Sequence, residues 1–342
     1  MSLVLAALAF GMSLWLTRRL LTPNSRLHLL DHPNPRSLHD SPKPRGGGLA
    51  IFLAVAVAGF IAVAIDPISI DLAWIAGAAF LVAGISFIDD WLSLHLSYRI
   101  VVHFAAAGLL MWAGLDLKNI VVPGSVWTLP EALAIGFSVL FIVWMVNLYN
   151  FMDGMDGFAA GMAVIGFGSF AIFGWLANES VFAMLSLIVA AAAGGFLISN
   201  FPPARIFMGD VGSSLFGLLA TAFMLWADRD GIFPLWIGVL IFSPFIVDAT
   251  VTLIRRMLRR ERFWEAHKSH YYQRLVQLGW GHRRTVLWEY AVMLLCALSA
   301  VGARYLGAAG QWVVIAGWLL VYLSVMLIVH RLEMRHEMLV TR

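Results

Sequence analysis

Eleven long apolar runs limit what this sequence can fold into. They cover about residues 2–17, 47–65, 72–88, 100–116, 131–149, 157–176, 179–199, 212–227, 232–254, 286–303 and 311–330. A helix that crosses a bilayer needs roughly 20 mostly apolar residues, so each run predicts a transmembrane helix. The chain is also 61% hydrophobic and only 13% charged. The sequence therefore predicts an all-α polytopic membrane protein, a single domain over residues 1–342 with about eleven transmembrane helices.

The basic residues lie mostly in alternate connections between these runs. If the N-terminus is outside, the inside segments hold 20 of the 23 Lys and Arg residues, among them Arg26, Arg36 and Arg342. Cytoplasmic segments carry such an excess, so the sequence predicts a periplasmic N-terminus and a cytoplasmic C-terminus. Contact with anionic lipid explains these charges, and no nucleic-acid partner is expected.

Polar residues are concentrated where three of the inside connections meet the apolar runs. A charged side chain within a bilayer costs several kcal/mol, about 3 on insertion scales, so such residues normally serve a function. The acidic residues are Asp89, Asp90, Asp153, Asp156 and Asp210, and Asn147 and Asn150 lie in the same run as two of them. Glycines flank Asp156 and Asp210, which would let a ligand approach the backbone.

These carboxylates indicate a metal site. Only Arg99 and Arg205 are basic in the same three connections, which leaves a local formal charge of −3. If the connections converge, repulsion between like charges would raise pKa values or require a counter-ion. Oxygen ligands favour Mg²⁺ or Mn²⁺ over zinc. The alternative is that each aspartate is solvated or caps a helix N-terminus.

Two further segments are candidates for contact with an anionic ligand. Lys43 and Arg45 precede three glycines and could hold an anionic group, or form a rigid basic turn before a helix. His267 and His270 are spaced to share a helix face, as metal ligands or phosphate contacts, or belong to a polar loop.

Two other histidines carry no functional prediction. His103, in the fourth apolar run, is expected to be a packed or hydrogen-bonded core residue, and His282 to be loop surface. The start of the last inside loop, from Arg255 to Trp264, could continue the preceding helix as an amphipathic surface segment.

Five motifs occur in order along the chain. They are Pro44–Gly48, Phe87–Asp90, Asn147–Gly157, Asn200–Asp210 and His267–Arg274. Together they resemble the polyprenyl-phosphate N-acetylhexosamine-1-phosphate transferase superfamily over roughly residues 40–285. The details are more similar to the branch that starts O-antigen and related glycans. The peptidoglycan translocase branch usually has consecutive histidines in the last loop, whereas here Lys268 and Ser269 separate the two.

The resemblance implies a reaction and a location. Undecaprenyl phosphate would attack the β-phosphorus of a UDP-N-acetylhexosamine, giving undecaprenyl-diphospho-HexNAc and UMP, with Mg²⁺ (or Mn²⁺) bridging the pyrophosphate. The enzyme would lie in the bacterial inner membrane, and a homodimer is common among relatives. Its active site would form on the cytoplasmic face from loops 18–46, 89–99, 147–157, 200–214 and 255–285.

The resemblance also implies roles for individual residues. Asp210 and Asp153 would be metal ligands. Asp89 and Asp90 match the catalytic acidic pair, and His267 and His270 the catalytic loop. The remaining substrate-binding candidates are Lys43, Arg45, Asn147, Asn150, Asp156, Arg205 and Arg274, with Asp153 also in that set.

A different class of function is a cation-coupled transporter of an anionic solute. It predicts polar residues near the middle of the membrane and accessible from both sides, whereas here they cluster at one face.

Overall fold

The computed structural model describes residues 1–22, 29–31, 33, 38, 41–65, 71–262 and 267–340. Arg26, Arg36, Trp264 and Arg342 lie outside the described residues, as do parts of the predicted loops 18–46 and 255–285.

The described chain is almost entirely helical, which confirms the predicted fold class. The helices are α1 Ser2–Leu20, α2 Gly47–Ile65, α3 Asp71–Leu92, α4 Leu96–Trp112, α5 Glu131–Met152, α6 Phe158–Leu176, α7 Ser180–Asn200, α8 Asp210–Arg229, α9 Leu235–Ile241, α10 Ser243–Leu258, α11 Tyr271–Leu275, α12 Gly281–Ala303 and α13 Ala308–Val340. A π-helical turn, Val276–Trp280, joins α11 to α12.

Each predicted apolar run corresponds to a helical segment. Within the described residues, nine segments are long and apolar enough to cross a membrane, and α9 with α10, bent by 82°, forms a tenth. The 17-residue α4 is a shorter apolar helix, at the lower limit for a span. The protein is therefore a multi-pass membrane protein. α10 ends at Leu258, so it does not continue through the predicted amphipathic segment as far as Trp264.

Two short antiparallel hairpins complete the described structure. The strands β1 Leu29–Asp31 and β2 Lys43–Arg45 pair with each other, and β3 Asn119–Val122 pairs with β4 Ser125–Thr128. The second hairpin lies in the connection between α4 and α5. Its turn contains Gly124, whose φ of +82° favours glycine.

Contacts at the two ends of the bundle show in which direction α3, α4 and α8 run. The start of α2, the end of α3 and the starts of α4 and α8 meet at one end. At the opposite end, Arg229 contacts Asp71 Oδ2 and the carbonyl oxygen of Ala113, so the far ends of α8, α3 and α4 are also neighbours. α3 therefore runs opposite to α4 and α8, as the predicted alternation of inside and outside connections requires.

The α8 helix is the centre of the bundle. Almost all of its side chains are buried, and it packs against α3 and α5. Its first turn meets α2 at backbone distance, because a Cβ on Gly48 would lie 2.1 Å from the Gly212 nitrogen. The amides of Gly47 and Gly48 also donate to the carbonyl oxygens of Phe207 and Met208 at 3.0 and 2.8 Å. This glycine contact brings the β2 strand beside the start of α8.

Candidate active site

Three aspartates and two arginines meet at one end of the bundle. Arg45 Nη2 lies 2.5 Å from Asp90 Oδ1 and 2.7 Å from Asp210 Oδ1. Arg99 Nη1 lies 2.9 Å from Asp89 Oδ2 and 3.1 Å from Asp210 Oδ2. Asp210 therefore contacts both arginines. We call these five residues, from β2, α3, α4 and α8, the acid–arginine cluster.

The helix ends explain why these carboxylates are held in place. Asp210 is the first residue of α8, where the free amides of a helix N-terminus favour negative charge. Its own N–H donates to Asp90 Oδ1 at 3.3 Å, and Asp89 Oδ1 accepts the N–H of Leu94 at 2.7 Å. Burial alone would lower the pKa of Arg45, but the charges of Asp210 and Asp90 outweigh burial and raise it.

The two asparagines of α5 lie at different depths. Asn150 Nδ2 donates to Ser213 Oγ at 2.9 Å and so borders the cluster through the first turn of α8. Asn147 lies deeper, where its Nδ2 donates to the Val143 carbonyl oxygen at 2.7 Å and lies 3.3 Å from His103 Nδ1. His103 is buried and hydrogen-bonded, as predicted for a core residue.

Asp153 follows the last turn of α5 and is half-buried. Among the residues that the structure describes, its carboxylate has no hydrogen-bond or ion-pair partner. Burial raises the pKa of Asp153 well above its usual value, and repulsion from Asp210 adds to the shift, which attraction to Arg45 does not offset. Asp153 therefore lies near enough to Asp210 and Arg45 for their charges to act on its carboxyl group.

Asp156 belongs to a separate group of contacts. Its Oδ2 accepts the N–H of Ala204 at 2.8 Å and lies 3.9 Å from Lys43 Nζ, and its Oδ1 lies 3.2 Å from His282 Nδ1. The prediction that His282 is loop surface was wrong, because the first turn of α12 turns this ring toward Asp156 and the carbonyl oxygen of Leu38. Burial would raise the pKa of Asp156, but these contacts outweigh burial and lower it.

The predicted helix face shared by His267 and His270 does not form, since both residues precede α11. Their rings are nevertheless neighbours, with centroids 4.8 Å apart. Burial, together with the nearby His270 and Arg256, lowers the pKa of His267 to about 3, so its ring is neutral at pH 7. Among the described residues, neither histidine directly contacts the acid–arginine cluster.

Asp248 anchors this loop to α10. Its Oδ1 lies 3.2 Å from His270 Nδ1 and accepts the N–H of Tyr271 at 3.0 Å, while its Oδ2 accepts the N–H of Tyr272 at 3.1 Å. The Tyr272 hydroxyl in turn donates to the carbonyl oxygen of Phe151 at 3.4 Å. Asp248 of α10 is therefore connected, through Tyr272, to the end of α5 that precedes Asp153.

Arg274 and Arg205 do not reach the cluster. Arg274 forms a two-point ion pair with Glu333 of α13 and lies over the Tyr271 ring, 4.5 Å from its centroid. The side chain of Arg205 is exposed, and its backbone N–H donates to the carbonyl oxygen of Ser199 at 2.9 Å. A substrate-binding role for either arginine would require a side chain to turn toward the ligand.

The sequence analysis did not select several residues of the site. Arg99 was counted only as a local charge, and Asp248 and Tyr272 were not named as site residues. A signal for Asp248 was present, because a carboxylate inside the apolar run 232–254 is costly unless it has partners. His282 carried no comparable signal.

The residues present fit a divalent cation. The carboxyl groups of Asp89, Asp90, Asp153 and Asp210 lie close enough to Arg45 and Arg99 to interact with their charges, and together the six residues would carry a formal charge of −2 if all four carboxyl groups were ionised. Asp90 Oδ2 is buried without a hydrogen-bond partner in the described structure. No group of three or more ligands already stands at metal-binding distance within the described residues. The donor set is therefore suitable for Mg²⁺ or Mn²⁺, and binding would need the carboxylates to adjust.

The bundle and its charged end define a class: an integral membrane protein with a cluster of acidic and basic side chains at one end of its helices. Comparison with known proteins identifies the family. The family model described as "Glycosyl transferase family 4" matches residues 72–228, which include the two aspartates that end α3 and the start of α8.

Three relatives illustrate the similarity. The chain is 33% identical to "Probable undecaprenyl-phosphate N-acetylglucosaminyl 1-phosphate transferase" of Bacillus subtilis (strain 168), over 81% of this chain and 77% of that protein. It is 30% identical to "Decaprenyl-phosphate N-acetylglucosaminephosphotransferase" of Mycobacterium leprae (strain TN), over 86% and 81%. It is 28% identical to "Phospho-N-acetylmuramoyl-pentapeptide-transferase" of Halalkalibacterium halodurans, over 75% and 82%. The chain belongs to the polyprenyl-phosphate N-acetylhexosamine-1-phosphate transferase superfamily.

Proposed function

We propose that this protein transfers an N-acetylhexosamine 1-phosphate from a UDP-N-acetylhexosamine to undecaprenyl phosphate. An oxygen of the lipid phosphate forms a bond to the β-phosphorus while the bond from that phosphorus to the bridging oxygen breaks. The products are undecaprenyl-diphospho-HexNAc and UMP. The acid–arginine cluster at one end of a membrane bundle carries this proposal, because a lipid acceptor and a soluble nucleotide can meet only at a membrane face.

The chemistry of the cluster suits phosphoryl transfer. This reaction depends mainly on alignment of the reacting groups and on neutralisation of their charge. Arg45 and Arg99 supply fixed positive charge beside the carboxylates. We infer that these arginines exchange part of their contact with aspartates for contact with substrate phosphates.

Mg²⁺ is the proposed cofactor, with Asp210 and Asp153 as ligands and the free Oδ2 of Asp90 available beside them. When bound, the cation would neutralise charge on the pyrophosphate. Asp89 is held by Arg99 and Leu94, which suits a role in orienting the acceptor phosphate. A proton acceptor is not required there, since a phosphate monoester is already largely ionised near pH 7.

We propose N-acetylglucosamine as the first sugar to test, because the printed names of the Bacillus and Mycobacterium relatives specify it. GalNAc, FucNAc and QuiNAc donors belong in the same comparison, and the loop around His267 to Arg274 is the proposed selector of the sugar.

The proposed role is to initiate O-antigen or a related envelope glycan at the cytoplasmic face of the bacterial inner membrane. The acid–arginine cluster lies at one end of the bundle and not near its middle, which disfavours a transporter.

The test is release of UMP by the purified protein in detergent. Four UDP-HexNAc donors are compared, each with and without undecaprenyl phosphate and with Mg²⁺ or EDTA. We expect UMP with at least one donor, only when lipid phosphate and Mg²⁺ are both present. Absence of UMP with all four donors would contradict the proposal, as would release that does not depend on the lipid.

Light scattering of the same sample would show whether the protein is a homodimer.

A further inference from the structure

The side chain of His103 has one ring nitrogen that the fold leaves without a partner. This residue lies on α4, and only 1% of its surface is exposed. Its Nε2 has no hydrogen-bond partner in the described structure. Buried polar groups normally have partners, so this nitrogen is free to bond a group that the described structure does not contain.

The hydrogen bonds of Asn147 determine which nitrogen of His103 carries the proton. Asn147 Nδ2 lies 2.7 Å from the carbonyl oxygen of Val143, which can only accept, so this atom is the amide nitrogen. The same NH₂ group lies 3.3 Å from His103 Nδ1. Two donors would otherwise face each other, so Nδ1 accepts and the neutral ring carries its proton on Nε2. The unpaired atom is therefore an N–H donor.

A second unpaired donor lies one helical turn away. Arg99 precedes His103 by four residues, and residues with this spacing share a helix face. While Arg99 Nη1 contacts Asp89 and Asp210, its Nε is buried without a partner. Two N–H groups on one face of α4 thus lack acceptors. One belongs to Arg99 of the acid–arginine cluster, and the other belongs to His103, one turn further along the same helix.

We propose that His103 Nε2–H, together with Arg99 Nε–H, donates to a phosphate oxygen of a substrate. The inference rests on the proposed transferase function and adds a binding residue to it. An oxyanion fits because both free groups are donors, whereas a cation would need acceptors. The phosphate could come from the lipid acceptor or from the nucleotide. His103 lies deeper in the bundle than Arg99, which favours the lipid.

Two nearly isosteric variants separate the hydrogen bond from the packing. His103→Gln keeps an N–H donor at the end of a side chain of similar length, while His103→Met keeps the length and removes the donor. His330→Gln, on the exposed face of α13, is the control. Steady-state kinetics gives KM for undecaprenyl phosphate and for the UDP-sugar separately. Thermal stabilisation by farnesyl phosphate and by UDP, each added alone, measures binding without turnover.

We expect His103→Met to raise KM for the lipid about tenfold, the effect of one lost hydrogen bond to a charged group. It should also lose most of the stabilisation by farnesyl phosphate, and His103→Gln should retain much of both. If only the UDP responses change, the phosphate is that of the nucleotide, which also supports an oxyanion site. Equal behaviour of the Met variant and the unchanged protein toward both ligands would overturn the inference.

A measurement on the unchanged protein covers the case in which the Met variant does not fold. In ¹⁵N-histidine-labelled protein, the Nε2–H signal of His103, identified by its absence from His103→Gln, should move when farnesyl phosphate or UDP is added. A signal that neither ligand moves would overturn the inference. If the unchanged protein neither releases UMP nor binds either ligand, the transferase function itself fails.

Discussion

Arg45 and Asp210 form an ion pair with a 2.7 Å contact, although 165 residues separate them in the chain. The same guanidinium nitrogen also contacts Asp90, so one arginine joins the end of α3 to the start of α8. Through Arg45, the fold brings residues of three separate sequence motifs into contact: Pro44–Gly48, Phe87–Asp90 and Asn200–Asp210.

The guanidinium of Arg45 should not be replaceable by an ammonium group. We expect Arg45→Lys to lower kcat about tenfold to a hundredfold, because lysine keeps the charge but loses the planar set of donors. UMP release measures this, with Arg18→Lys at the exposed end of α1 as the control. Full activity of Arg45→Lys would show that charge alone is sufficient.

The contact between Gly48 and Gly212 should control both stability and activity. A Cβ at Gly48 would lie 2.1 Å from the Gly212 nitrogen, so Gly48→Ala must push α2 away from α8. Overpacking of this kind costs about 1–3 kcal/mol, and here it would also separate Arg45 from Asp210. We expect a lower Tm and a lower kcat.

Gly59→Ala on the same helix is the matched control, since a Cβ there meets nothing within 4 Å. It should leave Tm and kcat nearly unchanged. Similar behaviour of the two variants would mean that the close approach of the helices is not important.

Asp156 should make stability depend on pH in acid. Its contacts with Ala204, His282 and Lys43 lower its pKa in the folded protein despite burial. A group whose pKa is lowered by folding stabilises the protein above its unfolded pKa and loses that contribution as pH falls through the folded pKa. We expect Asp156→Asn to lower Tm at pH 7, with a difference that narrows below about pH 4. A difference that stays constant from pH 7 to pH 3.5 would contradict this account.

Asp248 should act by holding the loop that follows it in the chain. Asp248→Asn removes the charge that three N–H groups share, and breaking such a buried network costs about 1–3 kcal/mol. We expect a lower Tm and a higher KM for the UDP-sugar, with KM for the lipid changed less. Thr252→Val, which removes only the 3.1 Å bond to Asp248 Oδ1, should have a smaller effect on both. Unchanged KM values in Asp248→Asn would restrict this residue to a structural role.

The amino-acid sequence predicted the helices well because a bilayer span imposes a length and an apolar composition that can be read locally. It also indicated that Asp89, Asp90 and Asp210 could lie together, since charged residues at a membrane boundary normally serve a function. The partners of these acids could not be predicted, because Arg45 reaches them only through the glycine contact between α2 and α8. His282 could not be predicted either, as its contact with Asp156 depends on how α12 enters the bundle.

The central claim is that the carboxylates gathered at one end of the bundle carry out the transfer. The most direct test is UMP release by Asp210→Asn, measured with undecaprenyl phosphate and Mg²⁺ beside Asp116→Asn, which alters an aspartate paired with Lys118 in the connection between α4 and α5. We predict that Asp210→Asn loses at least about a hundredfold in kcat while Asp116→Asn stays near the unchanged protein. Near-normal turnover by a well-folded Asp210→Asn would contradict the account.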